Sequence, residues 1–157
     1  MSEFKGTLAS PIGLLRLEAT HQGLTAVRFP HNVSVSAERT IHNPLVAEAK
    51  QQLSAYFDGK LDTFSVPLDW CGTAFQKSVW LALTKIRYGD TMTYADIARA
   101  IGRPRSARPV GGAAGKNPLP IIVPCHRVIG SDGTLTGFTG GLDIKMRLLQ
   151  LEGHNFF

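Results

Sequence analysis

Thr93-Tyr94-Ala95-Asp96-Ile97-Ala98-Arg99-Ala100-Ile101-Gly102-Arg103-Pro104-Arg105-Ser106-Ala107-Arg108 is the stretch on which the fold turns. Thr93 with Asp96 three residues on is a capping box, in which side chain and backbone at a helix start satisfy each other. Tyr94, Ile97, Ala98 and Ile101 recur at helical spacing, and Gly102 stops the run. A second short helix begins near Arg105 and runs to Gly115. Two short helices around a glycine turn, set among arginines, are compatible with a helix-turn-helix. A plain helical hairpin inside a core has the same spacing, so the pattern alone does not separate the two.

Working outward, Thr73 with Gln76 repeats the capping box. Phe75, Val79, Leu83 and Ile86 follow at helical spacing, and Tyr88-Gly89 ends that helix. Leu142 to Leu151 is a last amphipathic helix with Gly153 past its end. The first thirty residues read differently. Thr7-Leu8-Ala9 leads into the turn Ser10-Pro11-Ile12-Gly13, and Leu15, Leu17 and Ala19 then alternate with polar residues. His21-Gln22-Gly23 is a second turn before a strand over Leu24 to Phe29. Residues 30–42 are polar and irregular and read as a loop. Asn43-Pro44 reads as an N-cap with proline at the first helical position. Leu45, Ala49, Leu53, Tyr56 and Phe57 share one face of that helix, with Gly59 as its stop. Asp62 to Leu68 is another strand or an extended linker. The predicted fold is α+β. A small N-terminal antiparallel sheet domain with a helix, residues 1–69, precedes a mostly helical C-terminal domain, residues 70–157, carrying the helix-turn-helix. The charge balance shifts across residues 67–72.

The chain has 157 residues, 43% hydrophobic and 18% charged, an ordinary globular mixture able to bury a core. Its two cysteines, Cys71 and Cys125, exclude a disulfide framework and a four-thiolate zinc site. They and the five histidines (His21, His31, His42, His126, His154) show no metal-ligand spacing. No apolar run is long enough to span a membrane, and no signal peptide opens the chain. A reducing, cytoplasmic setting is the expectation. The net charge is +5, but residues 1–69 carry 6 basic and 7 acidic side chains, whereas residues 70–157 carry 11 and 5. Between Asp96 and Asp132 there is no carboxylate, while Arg99, Arg103, Arg105, Arg108, Lys116 and Arg127 fall there. A field of one sign suits a polyanion such as nucleic acid; a solvated basic face is the plainer reading.

The chemistry concentrates in Ile121-Ile122-Val123-Pro124-Cys125-His126-Arg127-Val128-Ile129. A thiol attacks only as thiolate, so it needs a base or positive charge beside it. His126 supplies the first and Arg127 the second. Glu152 is a candidate carboxylate to orient the imidazole. A buried structural cysteine beside a surface histidine is the alternative. Cys71, between Trp70 and Gly72, has no such neighbours and reads as a structural residue.

Pro124-Cys125-His126-Arg127-Val128 resembles the active-site signature of the O6-alkylguanine-DNA alkyltransferases. Gly72-Thr73-Ala74-Phe75-Gln76, Val79-Trp80, Thr93-Tyr94, Val110-Gly111, Asn117-Pro118 and Gly137-Phe138-Thr139-Gly140-Gly141 resemble the same family's C-terminal domain, in order, over about residues 70–153. The resemblance implies DNA repair by a single-turnover transfer of an alkyl group from guanine O6 to Cys125, with O4-alkylthymine as a further substrate and no cofactor or metal. The partner implied is double-stranded DNA containing the lesion, met by a monomer able to cluster on DNA.

The resemblance also implies roles. Cys125 is the nucleophile, His126 takes its proton through a water, and Glu152 holds His126. Asn117 ties the recognition helix to the active-site turn. Tyr94 protonates guanine N3, and Arg108 fills the gap left by the flipped nucleotide, from the minor groove. Arg103, Arg105, Thr93 and Arg127 join Tyr94 and Arg108 on the DNA side. Val128, Phe138, Thr139, Gly140, Pro120 and Ala114 form the substrate pocket. The chain departs from the pattern at Arg87, where proline is common, at Pro109, where alanine is common, at Ala114, where some relatives are bulkier, and at Phe138, where many carry tyrosine. These bear on substrate range and DNA affinity. A non-catalytic lesion binder, a helix-turn-helix regulator and a cysteine hydrolase are the competing classes. The first replaces the active-site cysteine and the second needs a dimerisation helix. The third needs a turn or a water between Cys125 and His126, since neighbours in a strand point apart.

Overall fold

The computed structural model describes residues 3–30 and 43–155. The part of the 30–42 stretch beyond residue 30, with His31 and His42, lies outside the described residues. The chain forms two compact units, Met1–Cys71 and Gly72–Phe157.

In the first unit, β1 (Phe4–Ser10), β2 (Gly13–Ala19) and β3 (Leu24–Arg28) form an antiparallel meander in that order. The Pro11-Ile12 turn closes on Gly13, whose φ of +110° suits glycine, while Ser10 Oγ donates to the Gly13 carbonyl at 2.6 Å. Leu15, Leu17 and Ala19 are buried, as their alternation predicts. Helix α1 (Pro44–Phe57) starts at Asn43, whose Oδ1 accepts from Leu45 N and Val46 N at 2.9 and 3.1 Å. It packs on all three strands through Val46, Ala49, Leu53 and Tyr56. The alternatives at Asp62–Leu68 resolve to an extended segment with one parallel bridge, Leu68 beside Leu24.

The second unit is helical. Helix α2 (Ala74–Leu83) opens on the Thr73–Gln76 capping box. It ends at Leu83, five residues before the Tyr88-Gly89 stop that the spacing predicts. The chain continues in tight turns, with Lys85 N on Ala82 O and Ile86 N on Leu83 O, which keep Ile86 buried. Strand β4 (Met92–Thr93) runs into α3 (Tyr94–Ala100), capped by Thr93 and Asp96 as read. Gly102, φ +75°, follows α3. Arg103 N on Ala98 O and Gly102 N on Arg99 O complete a left-handed glycine stop. Helix α4 (Ala107–Gly115) starts two residues later than expected and packs on α3 and α2, giving the expected helix-turn-helix pair. Trp80 Nε1 donates to Ala113 O at 2.9 Å and pins α2 to α4. Pro109 is the third residue of α4, where a backbone N–H has no partner inside the helix, so it costs no helical bond. One turn of 3₁₀ helix, Cys125–Arg127, leads to β5 (Val128–Ile129), and α5 (Leu142–Leu151) packs on that turn. Among the described residues no helix is long and apolar enough to cross a membrane.

A buried cysteine cluster and the cavity beside the helix-turn-helix

The link from α4 to the cysteine is built by Asn117. Its Oδ1 accepts from Leu119 N at 2.9 Å, and its Nδ2 donates to Val123 O at 2.8 Å. Between them Ile121 sits at φ +74°, a conformation that a β-branched residue adopts only when its surroundings force it. The turn thus delivers Cys125 to one place. Both bonds close within the 117–123 turn that follows α4.

Cys125 and His126 are sequential neighbours in a helical turn, not a strand, so they need not point apart. His126 is fully buried, with Nε2 2.6 Å from Glu152 Oε2. Burial holds its pKa below the ordinary histidine value, against the pull of Glu152. A neutral ring that donates from Nε2 to a carboxylate keeps its lone pair on Nδ1, and that nitrogen has no hydrogen bond to the protein. Cys125 is buried, and burial pushes its thiol pKa up to about 11, opposed by the Asn117 hydrogen bond and the Lys145 ammonium. It is therefore a thiol at neutral pH, and its proton must leave during any attack.

Arg127 requires a correction. The sequence places it on the DNA side, but its side chain is buried. Nε donates to Glu152 Oε1 at 2.7 Å, Nη2 to Oε2 at 3.1 Å and Nη1 to Ile86 O at 2.6 Å. The guanidinium also lies 5.8 Å from the Tyr88 ring centre. A charge so occupied holds Glu152 and does not meet a phosphate.

Lys145 is the residue sequence reasoning missed. It is fully buried, donating from Nζ to Val128 O at 2.6 Å and to Thr136 O at 3.1 Å. Burial lowers its pKa to about 8, while Cys125 pulls the other way. Its place on the same face of α5 as Leu148 and Leu149, one helical turn before them, is the signal that could have found it.

A cavity of about 780 Å³ opens beside the helix-turn-helix. Tyr94, Arg108, Phe138 and Thr139 line it, together with Gly111, Gly115 and Thr136. Ala114, Pro120, Val128 and Gly140 are buried and do not line it. From the body of α4 it is Gly111 and Gly115 that line the wall, while Ala114 is buried away from it. Two side-chain hydroxyls tie the 130–141 loop to α3 and α4: Thr136 Oγ1 to Tyr94 Oη at 2.7 Å, and Thr139 Oγ1 to Gly115 O at 2.6 Å. The cavity wall and the cysteine cluster are joined through Lys145, which holds Val128 and Thr136 at once. The parallel pairing of β4 with β5, Met92 with Val128 and Thr93 with Ile129, joins them again. Arg103, Arg105 and Arg108 are exposed, Arg103 resting over the Phe75 ring at 5.6 Å. Thr93 spends one acceptor on its helix cap. Cys71, expected to be structural, is exposed. Among the described residues no group of three or more His, Cys, Asp or Glu side chains is placed to hold a metal.

A thiol, an imidazole tied to a carboxylate, and a cavity walled by a tyrosine and an arginine stand together on a helix-turn-helix fold. Residues 74–154 match the 6-O-methylguanine DNA methyltransferase DNA binding domain, and residues 4–70 match the same family's ribonuclease-like domain. The methylated-DNA–protein-cysteine methyltransferase of Methanosarcina barkeri is 49% identical over 151 residues, covering 94% of this chain and 96% of the relative. The constitutive enzyme of Bacillus subtilis is 44% identical, covering 93% of each. The crystal structure of Mycobacterium tuberculosis OGT in complex with DNA superposes with a TM-score of 0.83 at 48% identity, covering 93% of this chain and 90% of that one. The chain belongs to the 6-O-methylguanine DNA methyltransferase family.

Proposed function

We infer that this protein repairs DNA by moving a methyl or larger alkyl group from guanine O6 to Cys125, once per molecule. The observation that carries the reading is the Cys125–His126–Glu152 arrangement: a buried thiol next to an imidazole whose Nε2 is tied to a carboxylate and whose Nδ1 makes no bond to the protein. His126 Nδ1 takes the thiol proton by way of a water molecule. The thiolate attacks the alkyl carbon; the S–C bond forms, the C–O6 bond breaks, and its electron pair passes into the purine. Tyr94 gives its phenol proton to N3, so guanine leaves neutral, and the proton lost by the thiol restores the balance. The thioether formed has no easy leaving group, which limits the protein to one turnover.

The lesion must leave the duplex to reach the site, at a cost of a few kcal/mol. Arg108, exposed at the second residue of α4 and at the cavity mouth, is placed to fill the gap it leaves. Arg103 and Arg105 hold phosphates. Gly111 and Gly115 leave room for alkyl groups larger than methyl. The 70–157 segment carries both DNA binding and transfer, with residues 1–69 as a structural domain. A monomer suffices, and the reduced thiol it requires fits a cytoplasmic setting.

Intact-mass measurement after incubation with duplex DNA carrying O6-methylguanine tests the reading. One added methyl on the wild type, absent in Cys125→Ser, is the expected result. Binding without a mass change would replace transfer by lesion recognition. Repeated turnover on an ester would make the site a hydrolase.

A further inference from the structure

Tyr94 lines the cavity, and its hydroxyl is bonded to the 130–141 loop. The ring is fixed at its base. Tyr94 is the first residue of α3, directly after the cap of Thr93, and that segment is held by the β4–β5 pairing. One face of the ring lies over α4 at Gly111, where an added Cβ would stand 3.7 Å from two ring carbons. The far end of the phenol meets one partner, Thr136 Oγ1, which donates to Tyr94 Oη at 2.7 Å. Thr136 is itself fixed, because its carbonyl accepts from Lys145 Nζ, the ammonium that also grips Val128 three residues after the nucleophile.

We propose that Thr136 is a positioning residue for alkyl transfer, its hydroxyl aiming the Tyr94 phenol at the departing base. The proposal rests on the reading of Tyr94 as proton donor. A phenol oxygen carries one proton and two lone pairs. With one lone pair taken by Thr136, the phenol proton is directed away from that partner and towards an acceptor in the cavity. When the proton passes to guanine N3, negative charge forms on the phenol oxygen, and the Thr136 O–H already points at it. A donor preorganised towards charge that appears only during reaction lowers the barrier without tightening ground-state binding. The reacting atoms balance as before: Thr136 gives up no proton and forms no covalent bond.

Single-turnover transfer from duplex DNA containing O6-methylguanine provides the test. Thr136→Val keeps the shape and the carbonyl held by Lys145, and removes only the donor. It should slow transfer about tenfold, the worth of one hydrogen bond to an oxygen gaining charge, with DNA binding unchanged. Thr136→Ser should restore the rate, and Thr136→Ala should repeat the loss if valine disturbs the fold, as judged by thermal melting. In a Tyr94→Phe background, Thr136→Val should have no further effect. Wild-type rates in both Thr136→Val and Thr136→Ala would overturn the proposal, as would an equal slowing with and without the phenol. Wild-type transfer by Tyr94→Phe alone would overturn the proton-donor reading, and the proposal with it; normal loss in Tyr94→Phe without loss in the Thr136 variants overturns the proposal alone.

Discussion

Glu152 does two jobs with one carboxylate: it orients His126 and neutralises the buried Arg127. Removing its charge therefore injures more than the base. Glu152→Gln leaves a guanidinium in the interior without a counter-charge, and such a loss typically costs about 3–5 kcal/mol. The urea midpoint of this variant should fall accordingly, together with its transfer rate. A midpoint equal to wild type would mean that Arg127 finds water instead. This residue scale is also where the sequence was least complete. That Cys125, His126, Glu152 and Asn117 gather in one place was legible because each residue type answers a chemical demand visible in one dimension: a thiol, an imidazole, a carboxylate to hold it, an amide at a turn. Arg127 and Lys145 were misassigned or missed because a positive side chain in sequence gives no sign of its depth. Their burial depends on which carbonyls and carboxylates the tertiary fold brings to them, and Ile86, Val128 and Thr136 are distant in the chain.

At the scale of elements the sequence spoke clearly wherever a local rule was in force. Both capping boxes, the Asn43-Pro44 start and the Gly102 stop stand where their residue types put them, since each is satisfied within a few residues. The β4–β5 pair escaped notice because two residues per strand leave no periodicity, and its partner lies across two helices. The end of α2 was overrun because tight turns continued its apolar spacing as far as Ile86. The turn between α3 and α4 offers a direct test. Gly102 sits at φ +75°, with no atom near enough to clash with an added Cβ. Gly102→Ala should thus pay only the left-handed backbone penalty, about 1 kcal/mol. Chemical denaturation measures it, and a neutral effect would show that the turn relaxes to a right-handed path.

For the whole molecule, charge decides how it meets its substrate. The excess of basic residues in the second half survives folding as an exposed set at Arg103, Arg105 and Arg108, while Arg127 and Lys145 are withdrawn into the interior. Duplex affinity should fall linearly with the logarithm of salt concentration, and Arg105→Ala should reduce that slope by about one phosphate contact. Arg108→Ala should slow repair in duplex DNA more than reaction with a free O6-alkylguanine base; equal losses would remove its role in the stack. The depth of Cys125 has a consequence of another kind. A protein consumed by its own reaction is a stored reagent, and its value to a cell is the fraction still unspent when damage arrives. Thiols at the surface, reached by solvent and always in part thiolate, are lost steadily to peroxides and stray electrophiles. A thiol kept protonated and out of solvent until a lesion enters the site ages slowly, so each copy synthesised in quiet times remains usable later.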